Sequence, residues 1–105
     1  MRLTSFLQDG QLTIALSGEI DHHTAKMHIK TITAKIEAYT PKVCVLDFQD
    51  VTFMDSSGIA VVINTLRQMS RLNGHVALAG LRKQPMKVFL TSGIDKLVEI
   101  KETIS

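Results

Sequence analysis

The side chains most able to do chemistry lie in the run Phe53-Met54-Asp55-Ser56-Ser57-Gly58-Ile59. It precedes an amphipathic pattern that reads as a helix. Asp and Ser at a helix start are favoured N-caps, because their oxygens accept from N–H groups that have no partner within the helix. A serine hydroxyl there has a second use. It sits at the positive end of the helix dipole, where a phosphate finds donors and the domain accepts it without unfolding. A phosphate adds about −1.5 to −2 charge at pH 7. A partner docked over it would have to desolvate that charge or leave, so such a switch lies in the interface and not in the fold. Cap and acceptor both fit the run.

Other chemistries fit less well. Around Ser56 there is no Gly-x-Ser-x-Gly elbow of a serine hydrolase. His22 and His23 are neighbours on a helix and point in different directions, and His28 and His75 add no third ligand, so no metal site is expected. Glu19, Asp47 and Asp50 fall at strand ends or in loops, where carboxylates cap or solvate the backbone. Met54, Met69 and Met86 read as gap-fillers, with Met54 the one placed to meet a partner. No catalytic residue and no cofactor are expected.

The elements that must position these residues follow from periodicity. Asp9-Gly10 between Leu3–Leu7 and the alternating Leu12, Ile14 and Leu16 predicts a hairpin with one covered face. Ala25, Ile29, Ile32, Ile36 and Tyr39 line one face of a helix, with Asp21 as its cap and Pro41 beyond its end. Val43 to Phe48 reads as a strand covered on both faces, and Gln49 to Asp55 as a loop. Ile59, Val62, Ile63, Leu66 and Met69 form the buried face of a second helix, closed by Asn73-Gly74; Asn64, Arg67, Gln68 and Arg71 form its wet face. Val76 to Ala79 is a strand, Pro85 to Leu90 a short helix stopped by Gly93, and Leu97 to Ile100 an edge strand. The order β-β-α-β-α-β-α-β predicts an α/β fold: a mixed sheet with an N-terminal hairpin, later mainly parallel strands, and helices packed against it.

With 105 residues, 45% of them hydrophobic and 21% charged, the chain is expected to form a single domain over residues 1–105. A net charge of +2 without a basic block gives no sign of nucleic acid. No apolar run approaches the roughly 20 residues of a membrane span, and no signal peptide opens the chain, so the cytoplasm is expected. Cys44, the single cysteine, reads as a small buried hydrophobe.

Taken with Gly18-Glu19-Ile20-Asp21-His22-His23-Thr24-Ala25, the Asp-Ser-Ser-Gly run resembles the signature of STAS-domain proteins, and within them the anti-sigma factor antagonists of the sporulation type. The likeness extends over essentially the whole chain. It implies a partner-switching module without enzymatic activity. The unmodified form binds an anti-sigma factor that is also a serine kinase, and a sigma factor is released. Phosphorylation of the first serine, here Ser56, ends the binding, and a serine phosphatase restores it. The resemblance places Asp21, His22, His23, Met54, Asp55, Ser57, Gly58 and Ile59 at the partner surface, with Gly58 admitting a partner backbone. The free form is expected to be a monomer. Ala60 departs from the family, many of whose members have a second glycine there. The alternative within the family is a non-phosphorylated subunit of a lipid-transport ATPase or of a scaffold complex; the intact Asp55-Ser56-Ser57-Gly58 favours the switch.

Overall fold

Asp9 and Gly10 both hold positive φ, 52° and 81°, and turn strand β1 (Leu3–Gln8) back on β2 (Gln11–Ile20) in antiparallel register. This is the two-residue turn whose twist suits a hairpin. The computed structural model describes residues 3–102. After β2 come α1 (His22–Tyr39), β3 (Val43–Met54), α2 (Ser57–Ser70), β4 (His75–Ala79), α3 (Lys83–Ser92), a short 3-10 turn (Ile94–Lys96) and β5 (Glu99–Lys101). The sheet runs β1-β2-β3-β4-β5, parallel from β2 onward. The α/β architecture is the expected one.

Each parallel step is bridged by a helix, and one core joins the helices to one sheet face. Leu12, Ile14 and Leu46 from the strands meet Ile32, Val62 and Phe89 from α1, α2 and α3. The other face carries a thin cluster of small residues, Val45, Ala77 and Ala79. The ring of Phe89 meets Phe48 edge-on, with centroids 5.4 Å apart and planes at 82°, which anchors α3 to the sheet. Among the described residues no helix is long and apolar enough to cross a membrane. Cys44 is fully buried, and burial pushes its thiol up to about 12.

Three expectations change. The segment 49–54 is strand, not loop. The register advances from Ala15↔Asp47 to Ser17↔Asp50, and from Gly18↔Val51 to Glu19↔Phe53, so β3 carries an extra residue at each step. These two bulges replace simple alternation with the pattern exposed, exposed, buried, which reads as a loop in one dimension. At the other end, Leu97 is 58% exposed, and the last strand starts at Glu99 because the turn before it takes up Ile94–Lys96. The helix faces are also rotated from their expected positions. On α2, Val61 and Thr65 are buried at the centre, while Ile59, Ile63 and Leu66 are half-buried against the core.

On α1, Tyr39 is 50% exposed and His28 is 0% exposed. His28 shares the buried stripe with Ala25, Ile32 and Ile36. Neither ring nitrogen has a hydrogen-bond partner among the described residues. Burial therefore favours the uncharged ring and lowers its pKa below the ordinary 6.5. The unfolded chain binds the proton more readily, so the stability held above about pH 6.5 is lost as pH falls toward the lowered value. Urea unfolding at pH 7.5 and pH 5.5 is expected to show this loss. His28→Leu should remove most of it.

Candidate functional site

The two motifs meet at the carboxyl edge of the sheet. Parallel pairing sets Ile20 beside Met54, and the Asp55 N–H donates to the Ile20 carbonyl at 3.1 Å. Because β2 and β3 end side by side, α1 and α2 begin side by side. In open α/β sheets this edge is where ligands bind.

Asp21 opens α1 as expected. Its Oδ1 accepts from the His23 and Thr24 N–H groups, each at 2.9 Å, and its own N–H donates to Thr24 Oγ1 at 2.9 Å. This is a reciprocal capping box with Thr24 in the returning role. The hydrogen bond from the Thr24 backbone leads the effects that hold the Asp21 carboxyl below its usual range. Asp21, His22 and His23 are all exposed.

At α2 the duties of aspartate and serine separate. Asp55 Oδ1 accepts from the Ser57 N–H at 2.7 Å, and the Asp55 carbonyl accepts from the Gly58 N–H at 3.1 Å. The cap is therefore Asp55. Ser56 already has helical angles, φ −62° and ψ −15°, and its side chain makes no capping hydrogen bond. Ser56 is an exposed residue. One expectation is corrected here. The N–H groups of Ser57, Gly58 and Ile59 are already engaged, the last by the Ser56 carbonyl at 3.1 Å, so they do not stand ready for a phosphate.

Met54 and Gly58 are also placed differently from expectation. Met54 is 0% exposed and Gly58 is buried, so neither offers surface to a partner. The space a Cβ on Gly58 would take is filled by Met54 Sδ, Cγ and Cε. This glycine lets a methionine pack under the helix start; it does not admit a partner's backbone. Ser57 and Ile59 are half-buried, and Ala60 is exposed on the first turn of α2. Asp47, expected to serve the backbone, accepts from the Gln49 N–H at 2.9 Å.

Two features were not foreseen. Phe53, near the end of β3, is 45% exposed, brought out by the bulge at Thr52. A cleft of about 480 Å³ opens between α2 and α3, lined by Ser56, Ile59, Gln84, Lys87, Val88 and Thr91 together with Ser92. Nothing local in the sequence signals that α3 reaches Ser56. Among the described residues, no group of three or more His, Cys, Asp or Glu comes together to hold a metal ion.

Residues 7–105 match the STAS domain family. The chain is 30% identical over 91 residues to an anti-sigma F factor antagonist of Paenibacillus polymyxa, covering 87% of this chain and 78% of that protein. The fold is similar to that of the anti-sigma factor antagonist SpoIIAA in its unphosphorylated form, with a TM-score of 0.82, 24% identity, and coverage of 96% and 89% of the two chains. For the phosphorylated form of SpoIIAA, described as a Bacillus cell fate determinant, the TM-score is 0.73 at 24% identity, covering 96% and 92%.

If Asp55 caps α2 and Ser56 does not, their removal has unequal effects. Asp55→Ala is expected to cost about 1 kcal/mol in chemical denaturation, and Ser56→Ala less than about 0.5 kcal/mol. A Cβ at position 58 meets a filled space, so Gly58→Ala is expected to cost about 1–3 kcal/mol. Combined with Met54→Ala it should cost less than the sum of the single changes, as measured by a double-mutant cycle.

Proposed function

The chain belongs to the STAS domain family, and from that premise we propose that it is an anti-sigma factor antagonist whose binding is ended by phosphorylation of Ser56. The observation that carries this reading is that Ser56 is exposed at the start of α2 and its hydroxyl is not used by the helix, because Asp55 does the capping. A hydroxyl engaged as a cap has one lone pair and its rotamer committed to the helix. This one has neither.

In the unmodified state the surface around Ser56, with Asp21, His22, His23, Phe53 and Ile59, docks on an anti-sigma factor with serine kinase activity. The sigma factor is thereby released. The kinase, bound over the acceptor, transfers the γ-phosphoryl group of ATP to Ser56. An O–P bond forms at Oγ, ADP leaves, and the hydroxyl proton passes to a base supplied by the kinase. The first-turn N–H groups of Ser57, Gly58 and Ile59 are already paired, so the new dianion stays at the surface, where a docked partner would have to bury it. Moving binding from nearly complete to nearly absent needs on the order of 5.5 kcal/mol of differential affinity. A phosphate forced into a desolvated contact supplies much of this. A serine phosphatase resets the switch. The protein acts in the cytoplasm as a single domain, monomeric when free. The name of the Paenibacillus polymyxa relative supports sigma F as the factor controlled.

Incubation with the cognate anti-sigma kinase and ATP, followed by mass mapping, is expected to place one phosphate on Ser56. Ser56→Ala should hold the kinase persistently in the presence of ATP, and Ser56→Asp should bind at least tenfold more weakly than the unmodified protein. Equal affinities of the two variants, or a phosphate elsewhere, would overturn the scheme.

A further inference from the structure

Strand β4 pairs with β3 only as far as Asp47, so the edge of β3 from Phe48 to Met54 has no strand beside it on that side. Side chains from the start of α3 take over. Arg82 Nε–H donates to the Gln49 carbonyl at 2.8 Å. Further along, Gln84 meets the backbone of Met54 in both directions: Nε2–H donates to the Met54 carbonyl at 2.7 Å, and Oε1 accepts from the Met54 N–H at 2.8 Å. The amide thus does what a residue of a neighbouring strand would do. It satisfies two backbone groups that would otherwise lack a partner at the end of the strand.

We propose that Gln84 is a positioning residue for the acceptor loop, clamping Met54 so that the Ser56 hydroxyl is presented to the kinase in one geometry. The role rests on the reading of Ser56 as phosphoacceptor. Met54 is then held on all sides: by Gln84 on one backbone edge, by the bond from Asp55 to Ile20 on the other, and by its own side chain in the space beside Gly58. Ser56 lies two positions on, after Asp55. At neutral pH a primary amide sets one uncharged donor and one acceptor side by side in this way. An ionised carboxylate has acceptors alone, whereas a protonated carboxyl group restores one of each. Gln84 also lines the cleft that holds Ser56, Ile59 and Lys87, so a partner reaching into that cleft touches the clamp itself.

Two variants separate positioning from plain stability. Gln84→Met keeps the length of the side chain and loses both hydrogen bonds, so amide exchange at Met54 should quicken by roughly tenfold. In the kinase assay its kcat should fall by a similar factor while KM moves less than about threefold. At neutral pH Gln84→Glu keeps an acceptor for the Met54 N–H but sets a carboxylate oxygen, in place of a donor, against the Met54 carbonyl, so the clamp should again loosen. Its Met54 protection factor should recover as the pH is lowered through the titration of the new carboxyl group, with no such recovery in the wild type. Wild-type exchange and kcat in Gln84→Met would overturn the role, as would a loss spread evenly over all amides with no pH-dependent recovery in Gln84→Glu. A wild-type protein left unmodified at Ser56 overturns the acceptor reading and this role together. A modified wild type with an unaffected Gln84→Met overturns this role alone.

Discussion

The parallel pairing of β2 with the far half of β3 is the constraint from which the site follows. It runs through two bulges to Ile20 and Met54 and ends in the hydrogen bond from the Asp55 N–H to the Ile20 carbonyl. Two chain segments more than thirty positions apart are thereby made to end at one edge, and each hands over to a helix there. Without that pairing the Asp21 cap and the Asp55 cap would be separate local devices. With it, two helix starts with exposed polar groups form one surface.

Within that surface the division of labour between Asp55 and Ser56 matters most. Both residue types are good caps, and a helix needs only one at this position. Asp55 takes the position, which leaves the Ser56 hydroxyl in the first turn with no structural duty. A group free of structural duty can be modified at little cost to the fold. The early N–H groups are already paired, so a phosphate gains little from the domain itself, and its effect falls on whatever docks there. The switch proposed for this protein therefore acts through complementarity and desolvation, without a change of fold.

Beneath the surface, packing holds the segment around Ser56 in place. Met54 fills the space that the absent Cβ of Gly58 leaves, so the strand end and the helix start interlock. Phe89 against Phe48 pins α3 to the sheet, and Arg82 and Gln84 pair with the β3 edge that β4 leaves open. The third helix is thus tied to β3 by backbone-directed hydrogen bonds as well as by apolar contact. His28 is the exception in this core, a polar ring inside α1 with neither nitrogen bonded among the described residues.

Much was legible from the residues alone. Asp9-Gly10 marked the hairpin because its turn demands positive φ, the helix periods marked α1 and α2, and Asp21 was recognisable as a cap from its type and place. The Asp55-Ser56-Ser57-Gly58 run was legible too, as residues with cap chemistry before a helix. What one dimension concealed were relations between distant segments. The bulges in β3 made strand look like loop, because their pattern arises from pairing with β2 and not from local alternation. The choice between Asp55 and Ser56 as cap depended on backbone angles that only the assembled strand end imposes. Gly58 looked open and proved filled, since the methionine that fills it comes from across the turn. Local propensity and hydrophobic period determined which elements form and in what order. The tertiary structure decided which hydroxyl is free, which side chains stand beside it and which lie beneath, because those depend on how the end of β3 is held by β2 and α3.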